Sequence, residues 1–156
     1  MPLLRRFPLT LALLVSMYPA SLSASALTHT TSESTTALVA SFINTIGSDM
    51  KSGNFSNLAG VYAPNATLTL STLKGLTRTI QGLSSIMRFY KAIQPYVHTL
   101  KWTQKGMRAL SPTVVISYID IGGGQLTATA RSVHVIVIQS GKVASHDWID
   151  FYPGKK

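Results

Sequence analysis

Side chains able to move protons gather in one short stretch near the C-terminus, "RSVHVIVIQSGKVASHDWIDFY" at 131–152, among them His134, His146 and Asp147. An imidazole titrates near neutral pH, and a carboxylate beside it fixes its tautomer and raises its pKa, which prepares a general acid or base. The stretch reads as a β-hairpin, two apolar arms around Ser140-Gly141. With those two residues as the turn, Gln139 pairs with Lys142 and the ladder sets His134 opposite Asp147. Directly opposed side chains share a face, with Cβ atoms about 4.5–5.5 Å apart. Ser132, Ile136, Ser145 and Ile149 share that face, while Val133, Val135, Val137, His146 and Trp148 take the other. His146 therefore points away from its neighbour Asp147, and metal binding by the two is not expected. The same pairing serves equally well as a structural ion pair across a sheet, so the chemical reading depends on register.

Few other residues compete for a chemical role. No Gly-rich phosphate loop, paired His/Cys metal spacing or G-x-S-x-G nucleophile signature occurs, so no cofactor and no metal are expected. Tyr62, Tyr90, Tyr96 and Trp102 are of a type that lines aromatic pockets, and equally of a type that fills cores. Tyr118 and Asp120 precede a triple glycine whose turn leaves their face open.

The elements that must position these residues follow from periodicity. Residues 27–36, "LTHTTSESTT", are polar and aperiodic and read as a flexible linker. From Ala37 a helical stripe appears: Val39, Ile43, Ile46 and Met50, with Leu38 and Phe42 beside it and Gly53 as its stop. A short helix fits 54–62, a strand 66–71, and a third helix Gly82 to Ile93, with Pro95 closing it. Four strands follow, at 97–108, 113–121, 126–139 and 142–152. Helices followed by a run of antiparallel strands predict an α+β fold, a curved sheet with two or three N-terminal helices covering one face.

In this order, "SGNFSNLAGVYAPNATLTL" (52–70), "GLSSIMRFYKAI" (82–93) and "VHVIVIQSGKVASHDWIDFY" (133–152) resemble the SnoaL-like and ketosteroid-isomerase-like branch of the nuclear transport factor 2-like superfamily. The resemblance covers about Ala37 to Tyr152 and implies a cone-shaped half-barrel with a pocket between sheet and helices. Members serve as isomerases, polyketide cyclases, hydrolases, or binding and dimerisation modules, so the fold leaves function to the pocket residues. It also implies positions. The isomerase base would stand at Leu70 and the helix tyrosine near Ile46, both apolar here, which argues against steroid-isomerase chemistry by that mechanism. A cyclase acid/base position seven residues before the hairpin glycine falls on His134. The expected pocket wall is Ile46, Tyr62, Leu70, Tyr90, Trp102, Tyr118 and Ser132, with His134 and Asp147 as the catalytic pair. The implied ligand is a small apolar or amphipathic molecule, handled by isomerase-, cyclase- or lyase-like proton transfer. The alternative is a non-catalytic binding or dimerisation module.

Composition sets the outer bounds. The 156 residues suffice for one domain, and 46% hydrophobic with 12% charged residues excludes a disordered tail protein. Arg5 and Arg6, an apolar run from Leu9 to Met17 and Ala24-Ser25-Ala26 form the pattern of a secretory signal peptide over 1–26, so a secreted or cell-envelope protein is expected. The apolar run is too short for a membrane anchor, and no stable membrane insertion is expected after cleavage. Loss of the two arginines lowers the formal charge from +9 to +7. The remaining cations are scattered singly, up to a basic tail at 153–156, and match no nucleic-acid reader, so solubility accounts for them. With no cysteine, packing alone must stabilise the domain. A homodimer is the expected assembly.

Overall fold

The apolar stripe of the first helix is what the sheet is built against. The structure, a computed structural model, describes residues 24–72, 75–124, 126 and 128–151, with side chains between 33 and 150. Helix α1, Ala24–Ser52, buries Val39, Phe42, Ile43, Ile46 and Met50, the spacing of a single helical face. It begins well before Ala37: the expected linker at 27–36 is helical. Neither Gly nor Pro falls between 20 and 46 to stop it. Thr35 ties that extension down, its hydroxyl donating to the Pro112 carbonyl at 2.7 Å. Most of the expected signal peptide and the basic tail lie outside the described residues.

A four-residue helix α2, Leu58–Val61, leads into strand β1, Tyr62–Thr72. Strand β2, Thr77–Gln81, follows where the sequence suggested only loop, and antiparallel pairing with β1 holds it. Helix α3, Leu83–Val97, carries Pro95 inside its last turn, two residues beyond the expected stop, and buries Ile86 and Tyr90. Strands β3 (Leu100–Ser111), β4 (Val114–Gly123), β5 (Ala130–Gln139) and β6 (Lys142–Phe151) complete one six-stranded sheet in the order β2-β1-β6-β5-β4-β3. The architecture is α+β, a curved and unclosed sheet with helices against it. The sheet is mixed rather than wholly antiparallel, because β1 runs parallel to β6. That pairing joins the start of the domain to its end, a contact that no local pattern encodes.

The β5–β6 hairpin turns on Ser140 and Gly141, both with positive φ (50° and 72°). Such a two-residue primed turn matches the right-handed twist of the strands, and glycine adopts its second position without a Cβ clash. Gln139 pairs with Lys142 and Ile138 with Val143, as the turn requires. Then the ladder slips: Val137 pairs with Ser145, leaving Ala144 as the extra residue of a β-bulge.

Candidate functional site

The bulge decides which polar groups enter the core. Beyond Ala144, Ile136 faces His146, Val135 faces Asp147, and His134 faces Trp148. The expected His134–Asp147 pairing is therefore replaced, and Asp147 lies on the outer face together with Ser145 and Ile149. His146 and Trp148, expected to turn away, share the inner face with His134. Both histidines are fully buried.

Their nitrogens form the centre of an internal hydrogen-bond chain. His134 Nδ1 and His146 Nε2 are 2.7 Å apart. On one side His134 Nε2 meets Ser132 Oγ at 2.9 Å, and Ser132 reaches the Ile119 carbonyl on β4 at a longer 3.4 Å. On the other side His146 Nδ1 meets the Tyr62 hydroxyl at 2.8 Å, and Tyr62 meets the Tyr90 hydroxyl at 3.0 Å. Side chains thereby link three strands and helix α3 and reach the backbone of a fourth strand, β4. A carbonyl can only accept, so Ser132 donates to it, and each earlier member then donates in turn. Tyr90 donates to Tyr62, Tyr62 to His146 Nδ1, His146 Nε2–H to His134 Nδ1, and His134 Nε2–H to Ser132. Five protons satisfy five bonds with every group neutral.

The electrostatics agree. Burial holds His134 well below the ordinary histidine value, and its neighbour His146 lowers it further. Burial alone brings His146 down to about 3. Burial raises both tyrosines, Tyr62 the more because Tyr90 stands beside it. These imidazoles are uncharged at neutral pH, and a proton added to either would find both ring nitrogens of each already used.

Trp148 separates this chain from the principal apolar cavity. Its ring stacks on His134 at 5.3 Å between centroids and meets Trp102 edge-on at 5.2 Å. On its other side lies a cavity of about 310 Å³ at the end of the sheet, walled by Leu70, Phe89, Ile93, Trp102 and Ile121. Tyr96, 82% exposed, is also part of its wall. The polar groups there are Ser71, Thr72 and Asp150. Trp148 Nε1–H donates to Asp150 Oδ1 at 2.6 Å, while the Thr72 hydroxyl is buried without a partner among the described residues. Asp150 is in register with Thr72 on β1 and Ser132 on β5.

Of the residues expected to line a pocket, Leu70 and Trp102 lie on this wall. Ile46, Tyr62, Tyr90 and Ser132 are core, the last three within the hydrogen-bond chain. Tyr118 is 40% exposed on the outer face, beside Gly106. The sequence reading overlooked Asp150 and misplaced His146. Alternation counted outward from Trp148 would have put Asp150 and His146 on one face; the unbulged turn register concealed which face that was. Among the described residues, no group of three or more His, Cys, Asp or Glu side chains is placed to hold a metal ion.

No family model and no curated protein matches the sequence. Solved structures do. An inferred SnoaL-like polyketide cyclase from Jannaschia sp. matches with a TM-score of 0.65 at 10% identity, over 83% of this chain and 91% of that one. A phenazine biosynthesis-related protein from Pseudomonas aeruginosa matches at 0.64 and 14% identity, over 79% and 82%. An inferred ketosteroid isomerase from Kribbella flavida matches at 0.60 and 14% identity, over 83% of each chain. The chain shares the α+β fold of these SnoaL-like and isomerase-like proteins.

Proposed function

We propose that the chain binds a small apolar molecule in the cavity beside Trp148, with Asp150 as the polar group that orients it and exchanges a proton with it. The carrying observation is a cavity of about 310 Å³ with a largely apolar wall, in which a carboxylate is held by the indole N–H of Trp148. That volume is at the lower end for ligand pockets, and a few polar groups on an apolar wall is their usual composition. The chemistry this supports is isomerase- or cyclase-like: Asp150 takes a proton from a carbon beside a ligand carbonyl and returns it elsewhere. The buried histidines take no part in this step, since Trp148 stands between them and the ligand. The similarity to inferred cyclases and isomerases supports the reading at the level of fold. The N-terminal pattern supports export, and N-terminal sequencing of the mature protein should begin at Leu27.

Native mass spectrometry of the purified chain tests the binding: a small apolar molecule should be retained, and Leu70→Trp, which fills the cavity, should release it. Asp150→Asn should keep the ligand and stop exchange of its acidic C–H for deuterium. Undiminished retention by a folded Leu70→Trp variant defeats the reading.

A second reading, the dimerisation module, has its own observation. On the outer face Val114 pairs with Val137, Ile116 with Val135, and Val133 with both Tyr118 and Ile149. These form a continuous, partly exposed apolar patch of the kind that marks an interface. Light scattering should give a dimer that Val135→Arg converts to a monomer.

A further inference from the structure

The structure holds a second, larger recess that the cavity beside Trp148 does not explain. It is a groove of about 850 Å³ between the C-terminal half of α1 and the exposed edge of the sheet at β3. Ile43, Trp102 and Ile119 form its apolar part, and Lys51 contributes a cation. Among the described residues, no acidic side chain lines it.

Gly47 gives this groove its meaning. It lies inside α1, where glycine is the least favourable residue after proline. Glycine in a helix is usually explained by close packing, but a Cβ built at Gly47 meets nothing within 4 Å. The protein leaves that space empty, and it is groove space. Trp102, shared between the groove and the smaller cavity, adds a buried indole N–H with no acceptor among the described residues.

We infer that this groove is a binding site for a small amphipathic monocarboxylate, its apolar body against Ile43, Trp102 and Ile119 and its charge met by Lys51. A single ammonium group, that of Lys51, suits a single negative charge. A phosphate site would call for arginine or the N–H groups of a helix start, and neither lines the groove. The nearby C-terminal end of α1, with its partial negative charge, further disfavours a dianion. The inference is independent of the ligand proposed for the smaller cavity.

The test is calorimetric titration of the chain with decanoate and with decanol at submillimolar concentration. Decanoate should bind at least fivefold more tightly than decanol, and the difference should shrink with added salt. Lys51→Gln should erase the difference while leaving decanol binding in place. Gly47→Leu should weaken decanoate at least tenfold; Gly47→Ala should weaken it two- to threefold while raising the melting temperature, which separates occupancy of the groove from damage to the fold. Leu70→Trp should leave decanoate affinity unchanged. Equal affinity for decanoate and decanol overturns the inference, as does unaltered binding in both Gly47 variants. So does loss of binding in Leu70→Trp, which would move the decanoate to the smaller cavity.

Discussion

His134 Nδ1 lies 2.7 Å from His146 Nε2 in a part of the core that excludes water from both rings. Two imidazoles in such contact share one proton, and the outer nitrogen of each is committed to Ser132 or Tyr62. The pair is a neutral structural joint rather than a reservoir of acid or base. Its behaviour toward pH follows from that.

Acid should weaken the fold through these two residues. His146 has a folded pKa of about 3 against an ordinary 6.5, and His134 is likewise lowered. The unfolded chain therefore binds more protons than the folded one below pH 6.5, so stability is full above that value. It falls by about 1.4 kcal/mol per pH unit for each histidine as the pH drops toward the folded values. Urea unfolding at pH 7.5 and 5.0 should differ by about 2 kcal/mol from His146, with His134 adding in the same direction. NMR shifts of the His134 and His146 rings that titrate near 6.5 in the folded protein would contradict this.

The direction of the proton chain predicts an asymmetry between its tyrosines. Tyr62→Phe removes the donor to His146 and the acceptor of Tyr90, both buried, and should cost about 2–4 kcal/mol. Tyr90→Phe removes only the terminal donor and should cost about 1 kcal/mol. Equal losses in chemical denaturation would mean that the chain runs the other way.

Ser140 occupies a left-handed conformation that asparagine adopts more readily. Ser140→Asn should stabilise the domain by about 0.5 kcal/mol, read as a higher urea midpoint with unchanged slope. A lower midpoint would show that the serine side chain serves a purpose beyond the turn.

Gly47→Ala should stabilise the isolated domain by about 0.5–1 kcal/mol, because the helix gains propensity and the added methyl meets open space. Thermal unfolding of the ligand-free chain measures it. A destabilised variant would show that the position is packed in solution.

Much of the fold was legible because it is written locally. The α1 stripe from Val39 to Met50, the α3 face around Tyr90 and the four C-terminal strands all carry their period in the sequence. The Ser140-Gly141 turn was legible for the same reason. The start of α1 was not, since "LTHTTSESTT" has no apolar stripe, and its Thr35 anchor is a contact with Pro112 far along the chain. Strand β2 and the parallel β1–β6 ladder also depend on partners rather than on composition. At the site, the hairpin was foreseen but its facing was not. "KVAS" holds no glycine, proline or asparagine to announce a bulge at Ala144, and without one the count from the turn gives His134 the wrong partner.

That single extra residue gives β6 two parities. Before it the odd position, Val143, points inward; after it the even ones, His146, Trp148 and Asp150, do. Removing Ala144 would leave the later pairs where they are and merely straighten the strand. Drawing it into a regular ladder would instead turn Asp147 toward His134 and expel His146. The difference between a buried, uncharged imidazole pair and an imidazole–carboxylate dyad is thus stored in how one alanine is counted.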